Sequence, residues 1–174
     1  LQAAKLNDDV EVAHYAATAV AQISKESDLK LQQLERAFKT DPSAQNLNEY
    51  CDFLGEYLGS GLAEGRVAQI QRQQYARLLA RRCEREDTLE LRIRYATALA
   101  DVGQIDEAQA VTDQLVLDVP DEQEVWMLCL RLAVMRRDGD EVHRVIDAID
   151  KQHVYLSADN REKLAFWRDG EEAR

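Results

Sequence analysis

Hydrophobic residues between positions 89 and 122 recur at helical spacing, and they predict two consecutive helices. In the first segment the apolar residues lie three or four positions apart and share one helix face: Leu91, Tyr95, Ala98, Leu99 and Val102. Gly103 follows this segment and predicts its end, because glycine readily adopts positive φ. The second segment has its own apolar stripe, made of Ile105, Ala108, Val111, Leu115 and Val116. Pro120 lies just past that stripe, so the pattern predicts a helical hairpin that ends before this proline.

The spacing in this hairpin resembles the tetratricopeptide repeat, a helix-turn-helix unit of about 34 residues. Ala96 and Ala108 stand at the small positions of the two helices, and Pro120 stands at the terminal proline. Trp126 falls at the aromatic position that opens the next unit. Small residues let two helices approach closely, and larger ones would overpack the contact. The hairpin is therefore predicted to be one repeat.

Two positions depart from the repeat pattern. Arg92 stands where the first aromatic residue is expected, and Thr112 replaces an aromatic residue of the second helix. The repeat assignment consequently depends on the small residues, the proline and the helical periodicity.

The same periodicity extends along the chain and predicts an all-α fold, a tetratricopeptide-repeat-like solenoid of antiparallel helical hairpins. We interpret residues 1–170 as a single helical-repeat domain. Its predicted parts are a degenerate unit over residues 8–42, an expanded hairpin over 43–88, the regular repeat over 89–122, a repeat over 123–154 and a capping helix over 157–168, ahead of a frayed tail at 171–174. The pattern leaves open whether residues 8–39 form one helix or two. The last repeat is predicted to turn at Asp138-Gly139-Asp140, and Leu164 and Trp167 of the capping helix to cover the end of the stack.

Composition and charge restrict the function classes. Only two prolines and seven glycines among 174 residues suit an all-α chain. A net charge of −11 argues against general binding to nucleic acid or to anionic lipid. No apolar run is long enough to span a bilayer, so no direct membrane insertion by this segment is expected. Cys51, Cys83 and Cys129 lack metal-ligand spacing and are predicted to be buried, reduced thiols.

No arrangement of residues predicts catalysis, a metal or a cofactor. His143 and His153 are too far apart in helical register to share a face as zinc ligands would, and His14 lies alone on an alanine-rich segment. Three carboxylates line one side of the helix that is predicted over about residues 44–58: Glu49, Asp52 and Glu56. Because no nucleophile or metal ligand accompanies them, we interpret them as a solvated or partner-facing edge.

Arginine is concentrated in the middle of this acidic chain. Between residues 66 and 94 the sequence has no lysine but eight arginines: Arg66, Arg72, Arg77, Arg81, Arg82, Arg85, Arg92 and Arg94. A guanidinium group binds carboxylate in a bidentate manner, so the cluster is a candidate site for an acidic segment of a partner. The alternative is that these arginines are solvated or pair with Glu84, Glu86, Asp87 and Glu90.

A second candidate surface follows from the repeat geometry. The first helices of successive repeats form the concave surface of a solenoid, where partners bind. That surface is predicted to present Asn48, Asp52 and Glu56, then Ile93, Thr97, Ala100 and Asp101, then Met127, Arg131, Val134 and Met135. Together, the two features predict these partner-binding residues: Asn48, Asp52, Glu56, Arg66, Arg72, Arg77, Arg81 and Arg131.

The first half of the chain also resembles the PelE family, the repeat proteins of the bacterial Pel exopolysaccharide machinery. The resemblance covers about residues 8–82 and is carried by Glu11–Thr18, by Leu34–Phe38 before Asp41-Pro42, by Asn48–Leu54 and by Tyr57–Leu62. It implies membrane-spanning helices ahead of a repeat domain on the cytoplasmic side of the bacterial inner membrane. It also implies three partners in a polysaccharide synthase complex, namely the membrane transporter component, the cyclic-di-GMP receptor and the glycosyltransferase. The family has no catalytic residues to carry over.

These patterns favour a non-catalytic protein-protein interaction scaffold in exopolysaccharide synthesis and export. The alternative is a general tetratricopeptide adaptor or a chaperone-like binder of a peptide segment. Asp101 departs from chaperone-binding repeats, whose grooves carry lysines and asparagines, because its carboxylate would repel a C-terminal carboxylate. An enzyme is disfavoured, and turnover that is abolished by His14→Ala would reverse that interpretation.

Overall fold

The computed structural model describes the backbone of residues 2–172 and the side chains of residues 18, 19 and 22–168. This part of the chain contains helices and no strands. The helices are α1 (Gln2–Thr40), α2 (Ala44–Gly59), α3 (Gly65–Cys83), α4 (Leu89–Asp101), α5 (Ile105–Asp118), α6 (Gln123–Arg136), α7 (Gly139–Lys151) and α8 (Ala158–Glu172). The predicted all-α class, with sequential antiparallel hairpins of the tetratricopeptide type, is confirmed.

The helices belong to two compact units, residues 1–71 and residues 72–174. The boundary lies within α3, between Gln71 and Arg72. The sequence was interpreted as one domain over residues 1–170, and its division into five repeat-like parts stays a prediction.

In the first unit, α1 packs against α2. Residues 8–39, for which the sequence left one or two helices open, lie within the single helix α1. The apolar spacing of Val12, Tyr15, Ala16 and Val20 predicts that they share one face of this helix, but their side chains lie outside the described residues. Ser43 caps α2 by accepting a hydrogen bond from the amide of Asn46.

A polar contact connects three helices of the first unit. The hydroxyl of Tyr57 in α2 donates a hydrogen bond to Asp28 in α1 at 2.6 Å, and Gln71 in α3 bonds to the same hydroxyl. Burial, followed by the hydrogen bond and negative charge of Asp28, raises the pKa of Tyr57 to about 12. The phenol therefore stays neutral and holds α1 against α2 at ordinary pH.

In the second unit, α4 and α5 form the predicted hairpin. Ala96 and Ala108 are both 0 % exposed and belong to one core cluster, as expected of the small positions of a repeat. Gly103 adopts φ +80°, and the amide of Gln104 donates to the carbonyl of Leu99 at 2.9 Å. This is a Schellman ending, in which a left-handed residue reverses the chain and satisfies the last carbonyls of the helix.

The next hairpin, α6 and α7, begins at the predicted aromatic anchor. The indole Nε1 of Trp126 donates to the carbonyl of Pro120 at 2.7 Å, and the ring is buried in the core formed with α7 and α8. Leu164 of α8 belongs to this core and Trp167 packs against it, as the prediction of a capping helix requires. Trp126 therefore fixes the start of α6 to the end of the preceding hairpin.

The turn between α6 and α7 differs from the predicted Asp138-Gly139-Asp140. The left-handed residue is Arg137, at φ 57°, and Gly139 is already the first residue of α7. The side chain of Asp138 caps α7 by accepting from the amide of Glu141 at 3.0 Å. Because Asp138 is a good N-cap, α7 begins directly after it and the chain reversal falls one residue earlier.

We predict that Trp126→Ala lowers the free energy of unfolding by roughly 3–5 kcal/mol, because it removes a buried aromatic anchor and its hydrogen bond. Trp126→Phe keeps a ring in the core, so its effect should be smaller, about 1–2 kcal/mol. Urea titrations followed by far-ultraviolet circular dichroism measure both. An effect near zero for Trp126→Ala would remove this residue as a repeat anchor.

We also predict that Arg137→Gly stabilises the protein by about 0.5–1 kcal/mol, because glycine has no steric penalty in the left-handed region. The matched control is Arg144→Gly, which places glycine inside α7 and should destabilise by about 1 kcal/mol. Equal effects of the two glycines in the same urea titrations would contradict the role of φ at position 137.

Candidate partner-binding site

The predicted arginines of α3 lie at the protein surface. Arg77 and Arg81 are exposed and, being four residues apart, share one face of the helix. Arg72 is also exposed, on another face of the second-unit part of α3, and Arg66 is exposed in the first unit. Arg66, Arg72 and Arg77 form no ion pair with any residue whose side chain the structure describes. These three cations are therefore available to a partner.

Two other arginines of the cluster are engaged within the second unit. Arg92 Nη1 lies 2.6 Å from Asp118 Oδ2 at the end of α5, and Arg92 Nε lies 3.8 Å from Asp87. Arg94 donates through Nη2 and Nε to the hydroxyl of Tyr75, at 2.8 and 3.1 Å. Intramolecular pairing, the alternative interpretation of the cluster, is correct for these two side chains.

The contact between Arg92 and Asp118 was missed by the sequence analysis. Arg92 occupies the repeat position where an aromatic residue is expected, and it connects α4 to the end of α5 through a charge. The unexpected cation was the available signal, because a charge at a semi-buried position requires a counter-charge. Its hydrogen bond, with a second from Gln114, lowers the pKa of Asp118 below its ordinary value.

A groove of about 440 Å³ runs beside Arg77 in the second unit. Its lining includes the buried side chains of Ala76 from α3 and Leu99 from α4, with Tyr95 partly buried between helices. Arg77 and Glu107 are the exposed charged residues of this lining, and Glu107 accepts a hydrogen bond from Gln104 at 3.1 Å. The lining of this groove is more polar than apolar. Its unpaired guanidinium suits an acidic side chain of a bound segment, and the partly buried Tyr95 and Val102 suit a neighbouring apolar one.

The predicted concave surface of α4 and α6 is only partly available. Ala100, predicted to face a partner, is 0 % exposed because it packs in the core with Leu128 and Leu132, so that prediction is wrong. Asp101 is exposed as predicted, but its carboxylate is paired with Arg131. Arg131 thereby neutralises the negative charge that was expected to repel a carboxylate ligand. Met135 remains exposed on this side.

The other predicted contact residues lie on α2 in the first unit. Asn48 and Asp52 are half-buried and four residues apart, and Glu56 is exposed a further turn along the helix. The three side chains share one face, as the sequence predicted.

The described residues hold no group of histidine, cysteine, aspartate or glutamate side chains able to bind a metal ion. The side chain of His14 lies outside the described residues. Cys51 and Cys129 are buried, Cys83 is half-buried, and all three are free thiols. Burial raises the pKa of Cys129 to about 12 and also raises that of Cys83, so these thiols stay protonated at neutral pH. Among the described residues, no helix combines the length and the apolar character needed to cross a membrane.

Comparison with known proteins supports the repeat interpretation. Residues 62–132 match the tetratricopeptide repeat family model, a span that begins just before α3 and ends within α6. The match covers less than half of the chain and includes the groove beside Arg77. No curated protein and no solved structure matches the chain. The match supports a tetratricopeptide-repeat protein, a class that serves as protein-protein interaction scaffolds and is generally non-catalytic.

We predict that the pair formed by Arg92 and Asp118 makes stability depend on acid pH. Because the pKa of Asp118 is lower in the folded than in the unfolded chain, its contribution is present above the ordinary value near pH 4 and is lost as pH falls through the folded pKa. Asp118→Asn should therefore be less stable than wild type at pH 7, and the difference should shrink as pH falls from about 5 to 3.

Thermal unfolding across this pH range measures the difference. The control is Asp118→Asn in an Arg92→Met background. Arg92 is the largest cause of the lowered pKa of Asp118, so without it the pH-dependent difference in stability should be smaller. If Asp118→Asn has the same pH-dependent effect on stability with and without Arg92, the ion pair is not the source of that effect.

Proposed function

We propose that this chain is a non-catalytic scaffold that holds partner proteins of bacterial exopolysaccharide synthesis and export. The observation that carries the proposal is the groove beside the unpaired Arg77, located within the residues that match the tetratricopeptide repeat model. The resemblance of residues 8–82 to the PelE family supports the polysaccharide context. In that context the domain works on the cytoplasmic side of the inner membrane, and its partners are the transporter component, the cyclic-di-GMP receptor and the glycosyltransferase.

Charge determines which partner segment this groove accepts. The chain as a whole is acidic, with net charge −11, so acidic partners are repelled from most of its surface. Arg77 reverses that sign locally, and its guanidinium can form a bidentate pair with a partner carboxylate. The partly buried Tyr95 and Val102 of the lining offer apolar surface to a neighbouring hydrophobic side chain of the same segment. The proposed ligand is therefore a partner segment with at least one acidic and one apolar residue.

The remaining predicted residues are proposed as additional contacts. Arg72 and Arg81 extend the positive surface of α3 in the second unit, and Arg66 does so in the first. Arg131 contacts a partner either through its pair with Asp101 or by exchanging Asp101 for a partner carboxylate. In the first unit, Asn48, Asp52 and Glu56 contact polar or basic groups of a partner.

The test uses the immobilised full chain to recover proteins from detergent-solubilised membranes of Pel-producing bacteria, with bound proteins identified by mass spectrometry. Arg77→Glu and Asp52→Arg should each reduce recovery of the glycosyltransferase or transporter about tenfold, because each reverses a charge at a proposed contact. The matched control is Arg85→Glu, the same charge reversal at an exposed arginine just after α3 that should leave recovery unchanged. Circular dichroism checks that all three variants remain folded.

The outcomes separate the alternatives. Recovery of the synthase components that is lost in a high-salt wash and in Arg77→Glu supports an ionic contact at α3. Equal recovery by Arg77→Glu, Asp52→Arg and Arg85→Glu would overturn the proposed site. Recovery of chaperones only, or of no protein, would favour a general tetratricopeptide adaptor over the exopolysaccharide role.

A further inference from the structure

A second groove, separate from the one beside Arg77, lies at the end of the second unit between α7 and α8. We call it the terminal groove, and its volume is about 560 Å³. Its apolar lining comes from residues of the α6–α8 core, namely Ile149, Leu156 and Leu164. Its polar lining comes from Asp150, His153, Tyr155, Arg161 and Arg168. This groove lies outside residues 62–132, so the repeat family match does not account for it.

The backbone around the terminal groove is held in place by hydrogen bonds. His153 adopts φ 54° after α7, and the amide of Val154 donates to the carbonyl of Ile149 at 3.3 Å. At the other end of the loop, Gln123 of α6 accepts from the amide of Ser157 at 2.9 Å. The loop is therefore attached at both ends, which reduces the conformational entropy that this loop loses on binding a partner.

The charges in the terminal groove favour an anionic ligand. Arg168 of α8 pairs with Asp150 of α7 at 2.7 Å, and this pair connects the two helices. Arg161 is exposed and has no ion pair with any described side chain. The charges of Arg168 and Asp150 cancel each other, so Arg161 is the residue of this groove that can pair with a negative group of a ligand.

The exposed aromatic residue of the groove indicates a peptide ligand. Tyr155 is 80 % exposed on the loop between α7 and α8, directly beside the charged residues. Tyrosine and arginine together are the side chains that contribute most often to protein-protein contacts. A nucleic acid or polyphosphate does not fit, because its closely spaced phosphates require several cationic contacts, whereas Arg161 is the one arginine of this lining without an ion pair to a described side chain.

We propose that the terminal groove binds an acidic peptide segment of a partner protein. In this arrangement a carboxylate of the segment pairs with Arg161, an adjacent apolar side chain rests on Val154 and Ala165 of the lining, and Tyr155 covers the peptide. The protein therefore has a second peptide-binding position, independent of the groove beside Arg77.

The experiment measures fluorescence anisotropy of a dye-labelled hexapeptide, alternating glutamate with leucine and phenylalanine, titrated with the full chain up to millimolar concentration. The chain carries Arg77→Glu, because the groove beside Arg77 is proposed to bind the same kind of segment, and the further variants are made in this background. A peptide with glutamine in place of each glutamate tests the need for negative charge. Arg161→Glu and Tyr155→Ala test the groove, and their thermal unfolding is compared with wild type to show that both remain folded. Arg144→Glu, at an exposed arginine of α7 outside the groove lining, is the matched charge control.

We expect Arg161→Glu to weaken binding of the acidic peptide roughly tenfold or more, as loss of a charge-assisted hydrogen bond predicts, and Tyr155→Ala to weaken it several-fold. Arg144→Glu should leave the affinity in the Arg77→Glu chain within about twofold, and the glutamine peptide should bind as weakly as the chain with Arg161→Glu binds the acidic one. Absence of saturable binding, equal binding of the two peptides, or an unchanged affinity in Arg161→Glu would each overturn the proposal. Loss of binding in Arg77→Glu alone would assign the peptide to the α3 groove instead and would also overturn it.

Discussion

The packing of α4 against α5, in a core cluster that includes Ala96 and Ala108, is the constraint on which the second unit depends. Both alanines are completely buried, and a larger side chain at either would separate the helices. The contact requires a short reversal, which Gly103 provides at φ +80°. Thr112 is tolerated in place of an aromatic residue because the Thr112 hydroxyl donates to the carbonyl of Ala108 at 2.7 Å, which leaves this buried polar group paired.

Successive hairpins have different residues at the same position of the repeat. Trp126 fills it in the later hairpin and bonds to the carbonyl of Pro120, whereas Arg92 fills it in the earlier one and pairs with Asp118. Charge also connects neighbouring helices elsewhere, between Asp101 and Arg131 and at 2.9 Å between Asp106 and Arg136. Ion pairs of this kind are individually weak at a surface, so they orient helices that the apolar core already holds together.

This internal pairing determines which charges remain for a partner. Arg92, Arg94 and Arg131 are occupied within the second unit, whereas Arg77 and Arg161 are exposed without an ion pair among the described residues. Each of these two lines a groove, and the groove of Arg161 is the more apolar of the two. A scaffold with two such positions can hold two acidic segments at once, or two parts of one chain, and the second contact gains from the high local concentration created by the first.

The sequence by itself determined the all-α class, the position of the Gly103 turn and the small, buried residues Ala96 and Ala108 of α4 and α5. These features depend on residues a few positions apart, so local periodicity and backbone preference are sufficient to predict them. Only the tertiary structure decided that Ala100 is core, that Arg92 pairs with a residue 26 positions away, and that a groove opens between α7 and α8. Those outcomes depend on which helix faces meet, and helical periodicity identifies an apolar face without identifying its neighbour. The predicted partner-binding residues of the arginine cluster and of the concave surface illustrate the same limit. Their spacing along each helix was predictable, whereas the ion pair between Arg131 and Asp101 was not.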